Sequence, residues 1–277
     1  MIGRIRRRLL IERLRAAYAI QRRAMKFRRP APVPHAAAAK TAMPAELAHA
    51  TLRALLRIAD LAGCRLFLMS GTLLGFHRSG RLLAHDHDID LGVMADDPGL
   101  GEFLTALQSA GLVTQHRTRR AGRGLAALNP GLPRLPGDAL LHKLAVAVDP
   151  GRQASIMVDV FVHFEYAGEL LHGSLNTLWA NTVFDLEWDQ VEGLEFWRPR
   201  DVTRYLRENY GPFETEVRDF DSHIDCPNVR NIYSHSAVRF LLGKHRAYMG
   251  VGRADRLQRL DRRLSAMIRE EPLGSLA

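Results

Sequence analysis

The sequence predicts an α/β fold in which a mixed β-sheet is flanked by helices. Segments with apolar residues at helical spacing alternate with short apolar runs typical of strands, and further strands then follow one another. The chain has 277 residues, 47% hydrophobic and 25% charged, enough for one large folded domain or two small ones. Its two cysteines, Cys64 and Cys226, exclude a disulfide framework and show no zinc-site spacing.

The first part of the fold alternates helices and strands. Pro44 suits the first turn of a helix that ends near Gly63, and Ser70-Gly71 marks the turn from a strand into a short helix. In chain order we predict a helix at 44–63, a strand at 65–69, a helix ending near residue 77, a strand at 89–93 and a helix at 100–110.

The second part is richer in strands. Residues 119–137 are rich in Gly, Pro and Arg, which predicts a mobile loop. Ala167-Gly168 marks a hairpin turn. We predict strands at 112–118, 140–148 and 156–164, and helices at 201–210 and 254–270. The arginines of the last helix are expected on a solvated face: Arg256, Arg259, Arg262 and Arg263.

The positive charge is concentrated at the start of the chain. A net charge of +9 and a pI of about 10.1 would by themselves suggest a nucleic-acid partner. Residues 1–29 hold eleven Lys or Arg and one acid, a net charge of +10, so the other 248 residues carry −1. We therefore predict a basic amphipathic helix at 1–29, a Pro/Ala-rich linker at 30–44 and a main domain at 45–277 with a C-terminal helical part.

The basic helix is expected to rest on an anionic membrane surface. Ile5, Leu9 and Ile20 share an apolar face, and each arginine near a lipid surface adds about 1 kcal/mol of attraction. A helix packed without a membrane role and an Arg-rich transit peptide are the alternatives. A nucleic-acid partner is not expected, because stacking aromatics are sparse in this segment.

The chain shows no pattern of a membrane span. No window of about 18 uncharged apolar residues occurs, and Glu12 and Arg13 interrupt the one run that resembles a signal-peptide core. We expect a cytoplasmic protein that is peripheral on the inner face of the cytoplasmic membrane.

A pair of acids on one strand is the strongest chemical signal. Residues two apart on a strand share a face, so Asp88 and Asp90 point the same way. Adjacent carboxylates repel unless a cation neutralises them, and hard oxygen ligands suit Mg²⁺ or Mn²⁺. Upstream, Ser70-Gly71 at the start of a helix offers backbone N–H groups to a phosphate.

Asp159 is a candidate third carboxylate. It lies within the otherwise apolar run 158–162, and a buried acid is costly unless it is paired or bound to metal. Beside Asp88 and Asp90 it would complete a metal site or accept a proton from an acceptor hydroxyl. An outward-facing residue on a half-exposed strand is the alternative.

The stretch from Ser70 to Val93 resembles the signature of the LicD/fukutin-related family. That signature has a Ser-Gly-Thr-Leu-Leu-Gly opening, an Arg three residues on and an acidic strand. The matching positions are Ser70, Gly71, Thr72, Gly75, Arg78, Asp86, Asp88 and Asp90. Weaker similarities at 158–161 and 196–211 extend the resemblance to about residues 45–215. Ala84, His85 and His87 depart from the usual Pro, Trp and Asp.

The resemblance implies a nucleotidyltransferase-like catalytic domain. It also implies transfer of a phospho-substituent, such as phosphocholine or ribitol phosphate, from a CDP-linked donor. The implied acceptor is a glycan or a lipid-linked glycan, and the implied process is the modification of cell-surface polysaccharide or lipopolysaccharide. The implied roles are metal binding by Asp88 and Asp90, donor-phosphate binding by Ser70, Gly71, Thr72 and Arg78, a base or third ligand in Asp159, and a less favoured ligand in Asp86.

Two other classes stay open. His85-Asp86-His87 has the HxH pattern of zinc or iron hydrolases, although the metallo-β-lactamase pattern needs an Asp where this chain has Ile89. The other class is a non-catalytic scaffold on a membrane or polyanion. Such a scaffold would bind neither CDP compounds nor divalent cations.

Overall fold

A computed structural model describes most of the chain. The described residues are 2–25, 42–121, 125, 127–129, 132, 139–147, 154–217, 219–249 and 253–269. Most of the predicted linker at 30–44 and of the predicted loop at 119–137 lies outside them.

The described elements alternate in the first part and are dominated by strands in the second. The helices are α1 (Ile2–Met25), α2 (Ala45–Leu61), α3 (Ser70–Ser79), α4 (Leu100–Ser109), α5 (Val202–Tyr210), α6 (Ser222–Asp225), α7 (His235–Met249) and α8 (Ala254–Ile268). The strands are β1 (Phe67–Leu68), β2 (Ile89–Met94), β3 (Val113–Arg120), β4 (Ala139–Val146), β5 (Ile156–Tyr166), β6 (Glu169–Gly173), β7 (Leu178–Thr182), β8 (Leu186–Val191), β9 (Leu194–Pro199) and β10 (Val229–Arg230).

The ten described strands form one mixed sheet. Its order is β10-β7-β6-β5-β2-β1-β9-β8, and β4 joins β5 and carries β3. The pairs β2–β5 and β1–β9 are parallel and the other pairs are antiparallel. The predicted α/β class with a mixed sheet and flanking helices is thus confirmed.

The main core lies where α2 and α4 cover the central strands. Leu52 and Leu55 of α2 and Phe103 of α4 are fully buried in it, and each such side chain contributes about 2 kcal/mol of transfer free energy. The register pairs Phe67 with Gly92. A side chain at Gly92 would collide with the Phe67 ring, so glycine allows β1 and β2 to pack closely there.

Helix α1 packs against α7 and α8 through a second apolar cluster. Its buried residues are Leu10, Ile11, Leu14 and Tyr18. The face that the sequence pattern identified as apolar points outward, with Ile5, Leu9 and Ile20 exposed by 55%, 57% and 68%. None of the described helices is long and apolar enough to span a membrane. The proposed boundaries at 1–29, 30–44 and 45–277 stay predictions.

The prediction that the arginines of α8 lie on a solvated face is wrong at two positions. Arg256 and Arg263 are buried. The Arg256 guanidinium donates to Asp225 of α6 at 2.6 Å, and Arg263 Nε donates to Asn231 Oδ1 at 3.0 Å. These arginines therefore hold α8 against the segment between α5 and α7.

Candidate active site

Three charged side chains form a row across neighbouring strands. Asp90 of β2 lies opposite Asp159 of β5 in the parallel register, and Asp159 lies opposite Lys143 of β4 in the antiparallel register. Residues in register on adjacent strands project from the same face of the sheet. The Lys143 ammonium contacts Asp159 Oδ2 as an ion pair. The alternative of an outward-facing Asp159 does not hold, since this residue is buried.

Asp88, Asp90 and Asp159 form a group that we call the acidic cluster. One carboxylate oxygen of each lies within 4.8 Å of the others. Among the residues that the structure describes, this is the one group of three or more His, Cys, Asp or Glu side chains close enough to share a metal ion. An all-oxygen set of this kind fits a hard divalent cation. The three acids brought together are the ones that the sequence ranked first.

The electrostatics of Asp90 support the same fit. Burial raises its pKa well above the usual range, and the nearby carboxylates of Asp88, Asp86 and Asp159 raise it further, whereas Lys143 lowers it. The single positive charge of Lys143 does not neutralise the negative charge of these carboxylates. A bound cation would supply the missing positive charge.

The turn before α3 fixes Ser70 at the edge of the acidic cluster. Ser70 has φ +47°, a left-handed conformation that is strained for a residue with a side chain. Its backbone N–H donates to the hydroxyl of Tyr205 in α5 at 3.4 Å. Thr72 is fully buried, and its hydroxyl accepts the Asp90 N–H at 2.9 Å. Thr72 therefore positions the strand that carries Asp90.

Gly71 and Asp86 lie against one another. A Cβ atom at Gly71 would stand 2.7 Å from Asp86 Oδ2, so only glycine leaves room for this carboxyl group. Burial and the Asp88 carboxylate raise the Asp86 pKa to about 6. Oδ2 of Asp86 has no hydrogen-bond partner in the described part of the chain. This orphaned oxygen lies beside the acidic cluster but outside the group of three.

Arg78 and the histidines of the HxH motif lie to one side. The Arg78 guanidinium donates to the carbonyl oxygen of Phe213. His85 Nδ1 lies 3.9 Å from Glu216. Arg78, His85 and His87 line a neighbouring cavity of about 440 Å³, and neither histidine joins the three-acid group. Arg78 thus shares a cavity with Gly71 and Asp86 and does not line the larger cavity that contains Asp88, Asp90 and Asp159.

A cavity of about 910 Å³ opens over the acidic cluster and extends to α7. Its far end has an aromatic wall in which the His223 ring lies 5.3 Å from Trp179 and 4.6 Å from Phe240. Lys244 and Tyr248 of α7 donate to the Asp221 carboxylate at 2.6 Å and 2.8 Å. Such a wall suits a flat ring or a sugar.

Sequence reasoning missed this far end and undervalued Lys143. At Lys143 the sequence allowed a phosphate contact but favoured a strand with one exposed edge, and it did not mark Trp179 or His223 as part of a site. Trp179 lines the cavity from β7, whose place in the sheet is set by its pairing with β6 and β10. Nothing in the local sequence marks that pairing. The available signal is the His142-Lys143 pair within a strand whose other residues are apolar, which resembles the signal that identified Asp159.

The chain is similar to a described protein family and to several curated proteins. The family profile described as "LicD/FKTN/FKRP, nucleotidyltransferase domain" matches residues 63–123, which span α3 and β2. Human "Ribitol-5-phosphate transferase FKTN" is 23% identical over 175 residues, covering 61% of this chain and 33% of the human protein. The mouse protein of that name gives the same values, and the Macaca fascicularis protein is 22% identical over the same length.

The aligned segment therefore spans about a third of each curated relative. The family match includes Ser70, Asp88 and Asp90 but ends before β4 and β5. Both comparisons confirm the resemblance to the LicD/fukutin-related family that the sequence showed: the family profile matches residues 63–123, and the transferases named FKTN are similar over 175 residues.

Proposed function

We propose that this chain transfers a phospho-substituent, such as ribitol phosphate or phosphocholine, from a CDP-linked donor to a glycan. The observation that carries the proposal is the register of Asp90 with Asp159, with Asp88 beside them, at the start of a 910 Å³ cavity. The printed name of the human relative, a ribitol-5-phosphate transferase, supports the same class of reaction. The cavity has room for a nucleotide-linked donor next to an acceptor.

The acidic cluster would hold Mg²⁺ or Mn²⁺. The bound cation would neutralise the donor phosphates and the charge that develops on the transferring phosphoryl group. The backbone at Ser70 and Gly71 would lie against the donor phosphates, because the start of α3 faces the same cavity. Thr72 contributes by fixing the Asp90 backbone.

Two basic side chains, Arg78 and Lys143, line the cavities next to the proposed donor site. Arg78 would have to leave its contact with the Phe213 carbonyl to reach a donor phosphate, so its role stays a prediction. Lys143 lines the cavity and forms an ion pair with Asp159, and it would attract the donor phosphates while holding Asp159 in place.

The reaction moves one phosphorus atom between two oxygens. An acceptor hydroxyl oxygen forms a bond to the phosphorus of the transferred group, and the bond from that phosphorus to the bridging oxygen of the pyrophosphate breaks. CMP leaves with that oxygen. The hydroxyl proton passes to Asp159 if that carboxylate acts as base, or to water if it serves only as a ligand.

A thermal-shift screen tests the proposal directly. CDP-ribitol, CDP-choline and CDP-glycerol are each added with Mg²⁺ or Mn²⁺, and we expect one CDP compound to stabilise the protein only when the cation is present. Asp88→Asn should abolish this stabilisation and CMP release, while Asp96→Asn, an exposed acid beyond the end of β2, should change neither. Equal stabilisation of the Asp88 variant would contradict the proposed site.

We further propose that the protein is peripheral on the anionic inner face of the cytoplasmic membrane, held by the outward face of α1. Exposed Ile5, Leu9 and Ile20 with neighbouring arginines support this. Cosedimentation with phosphatidylglycerol vesicles but not with phosphatidylcholine vesicles is expected. Equal recovery with both lipids would count against an electrostatic attachment.

A further inference from the structure

A second cavity lies between α1 and the start of α7. It has a volume of about 600 Å³. Most of its wall is aliphatic, and these lining residues are Leu9, Leu10, Leu125, Leu128 and Leu175. A volume of this size falls in the range of roughly 300–1,000 Å³ that is typical of small-molecule sites. The cavity can thus accommodate one alkyl chain.

The charge around this cavity has one sign. Arg6, Arg13 and Arg120 line it together with the leucines, and no Asp or Glu is among its described lining residues. Arg6 and Arg13 are exposed and lie two helical turns apart on one side of α1. Aliphatic walls combined with guanidinium groups match a molecule with a hydrocarbon chain and an anionic headgroup.

The second cavity adjoins the one that contains the acidic cluster. Leu175 and Ser236 line both cavities. Consecutive residues at the end of β3 divide between them, with Arg119 in the larger cavity and Arg120 in the smaller. A headgroup held by the arginines would therefore lie beside the larger cavity.

We propose that this second cavity binds an anionic amphiphile, with its alkyl chain against the leucines and its phosphate on Arg6, Arg13 and Arg120. Binding itself is independent of the reaction proposed above. The identification of the natural ligand as a phosphorylated lipid that carries the acceptor glycan rests on the proposed function. In that role the lipid would be anchored here and the glycan would extend toward Asp88 and Asp90.

Dodecyl phosphate below its micelle concentration is the probe. Isothermal titration of the full chain should show saturable binding of one molecule. Two control ligands each lack one feature of the probe. Inorganic phosphate has the anion without the alkyl chain, and dodecyl maltoside has an alkyl chain without the anion. Both should bind at least about tenfold more weakly. Equal binding of either one would overturn the proposal, since it requires both features.

Matched variants on α1 distinguish the cavity from general adsorption to the helix. Leu9→Glu changes a lining residue, and Ile20→Glu changes another exposed apolar residue of α1 that lies outside the lining. Arg13→Gln and Arg23→Gln form the corresponding charged pair, because both side chains are exposed and only Arg13 lines the cavity. Leu9→Glu and Arg13→Gln should each weaken binding by about tenfold or more, while the two control variants should bind as wild type does.

Equal losses in the cavity and control variants would show adsorption and overturn the proposal. All four positions are exposed, so unchanged thermal midpoints are expected and confirm folding. Stabilisation by a CDP compound with Mn²⁺ is measured on the same variants and should be retained. Amphiphile binding and donor binding are thus measured separately on the same variants, so a failure of the amphiphile proposal can be distinguished from a failure of the proposed function.

Discussion

Replacing Asp90 by asparagine removes one carboxylate from the acidic cluster and keeps the size of the side chain. The backbone contact is preserved, because it is the Asp90 N–H that donates to Thr72. Two effects should follow in opposite directions. The protein without metal should become more stable, and stabilisation by metal should be lost.

The magnitude follows from the separation of the charges. Carboxylate oxygens of the cluster lie within 4.8 Å of one another, and unit charges at that distance repel by about 3 kcal/mol at an effective dielectric constant of about 20. Asp90 has two such neighbours, and Lys143 offsets part of the repulsion. Two repulsions less one attraction of similar size leave about 3 kcal/mol, so we expect Asp90→Asn to raise the free energy of unfolding by about 3 kcal/mol at pH 8 in the absence of metal.

The pH dependence has a defined sign. Burial and the neighbouring acids raise the Asp90 pKa well above its ordinary value of 3.8. The folded state therefore keeps a proton that the unfolded chain loses, so wild-type stability falls as the pH rises from 3.8 through the raised pKa. Asparagine does not titrate, and the advantage of the variant should grow across that window and then level off.

Urea denaturation at several pH values, with and without Mn²⁺, measures both effects. Metal at about 100 times its Kd should stabilise wild type by about 2.7 kcal/mol and Asp90→Asn far less. Asp96→Asn is the control and should behave as wild type. The reasoning is refuted if the Asp90 variant gains no stability at pH 8 or keeps the full stabilisation by Mn²⁺.

Two further perturbations test neighbouring parts of the site and sheet. Lys143→Met removes the ammonium that pairs with Asp159. Calorimetry without metal should show that the free energy of unfolding falls by about 1–2 kcal/mol, and Mn²⁺ should stabilise the variant more than it stabilises wild type. An unchanged free energy of unfolding would show that this charge is dispensable. The second perturbation concerns His163, whose pKa burial lowers to about 3. Below pH 6.5 the unfolded chain therefore binds a proton at this histidine that the folded state does not bind. Stability should fall by up to roughly 1.4 kcal/mol per pH unit per such histidine as the pH drops from 6.5 toward 3. In urea titrations at pH 7.0 and 5.5, His163→Phe should lose less stability than wild type, and an equal loss would argue against a neutral His163.

Local sequence pattern predicted the features that depend on one strand or one turn. The alternation around Ile89 placed Asp88 and Asp90 on one face, and the family signature identified the Ser70 turn before it. An acid in an apolar run indicated that Asp159 is buried. Each of these is a short-range property, so the predictions needed no knowledge of which strands pair.

Features that depend on pairing between distant segments could not be predicted from the sequence. Lys143 joins the acids only because β4 pairs antiparallel with β5 in one register. Likewise, α1 has apolar residues on two sides, and the sequence pattern favoured the side of Ile5 and Leu9. Packing against α7 and α8 instead buries the side of Leu14 and Tyr18, which no periodicity in the helix itself could determine.

The parallel pairing of β2 with β5 would couple cation binding at the acidic cluster to the register of the two strands. A shift by one residue would put Asp90 opposite Val158 or Val160 and turn the two carboxylates to opposite faces of the sheet. A cation that bridges the acidic cluster would therefore bind only the correctly registered sheet and favour it by mass action. Hydrogen exchange of the β2 and β5 amides should then slow on metal addition, well beyond the few residues that touch the ion.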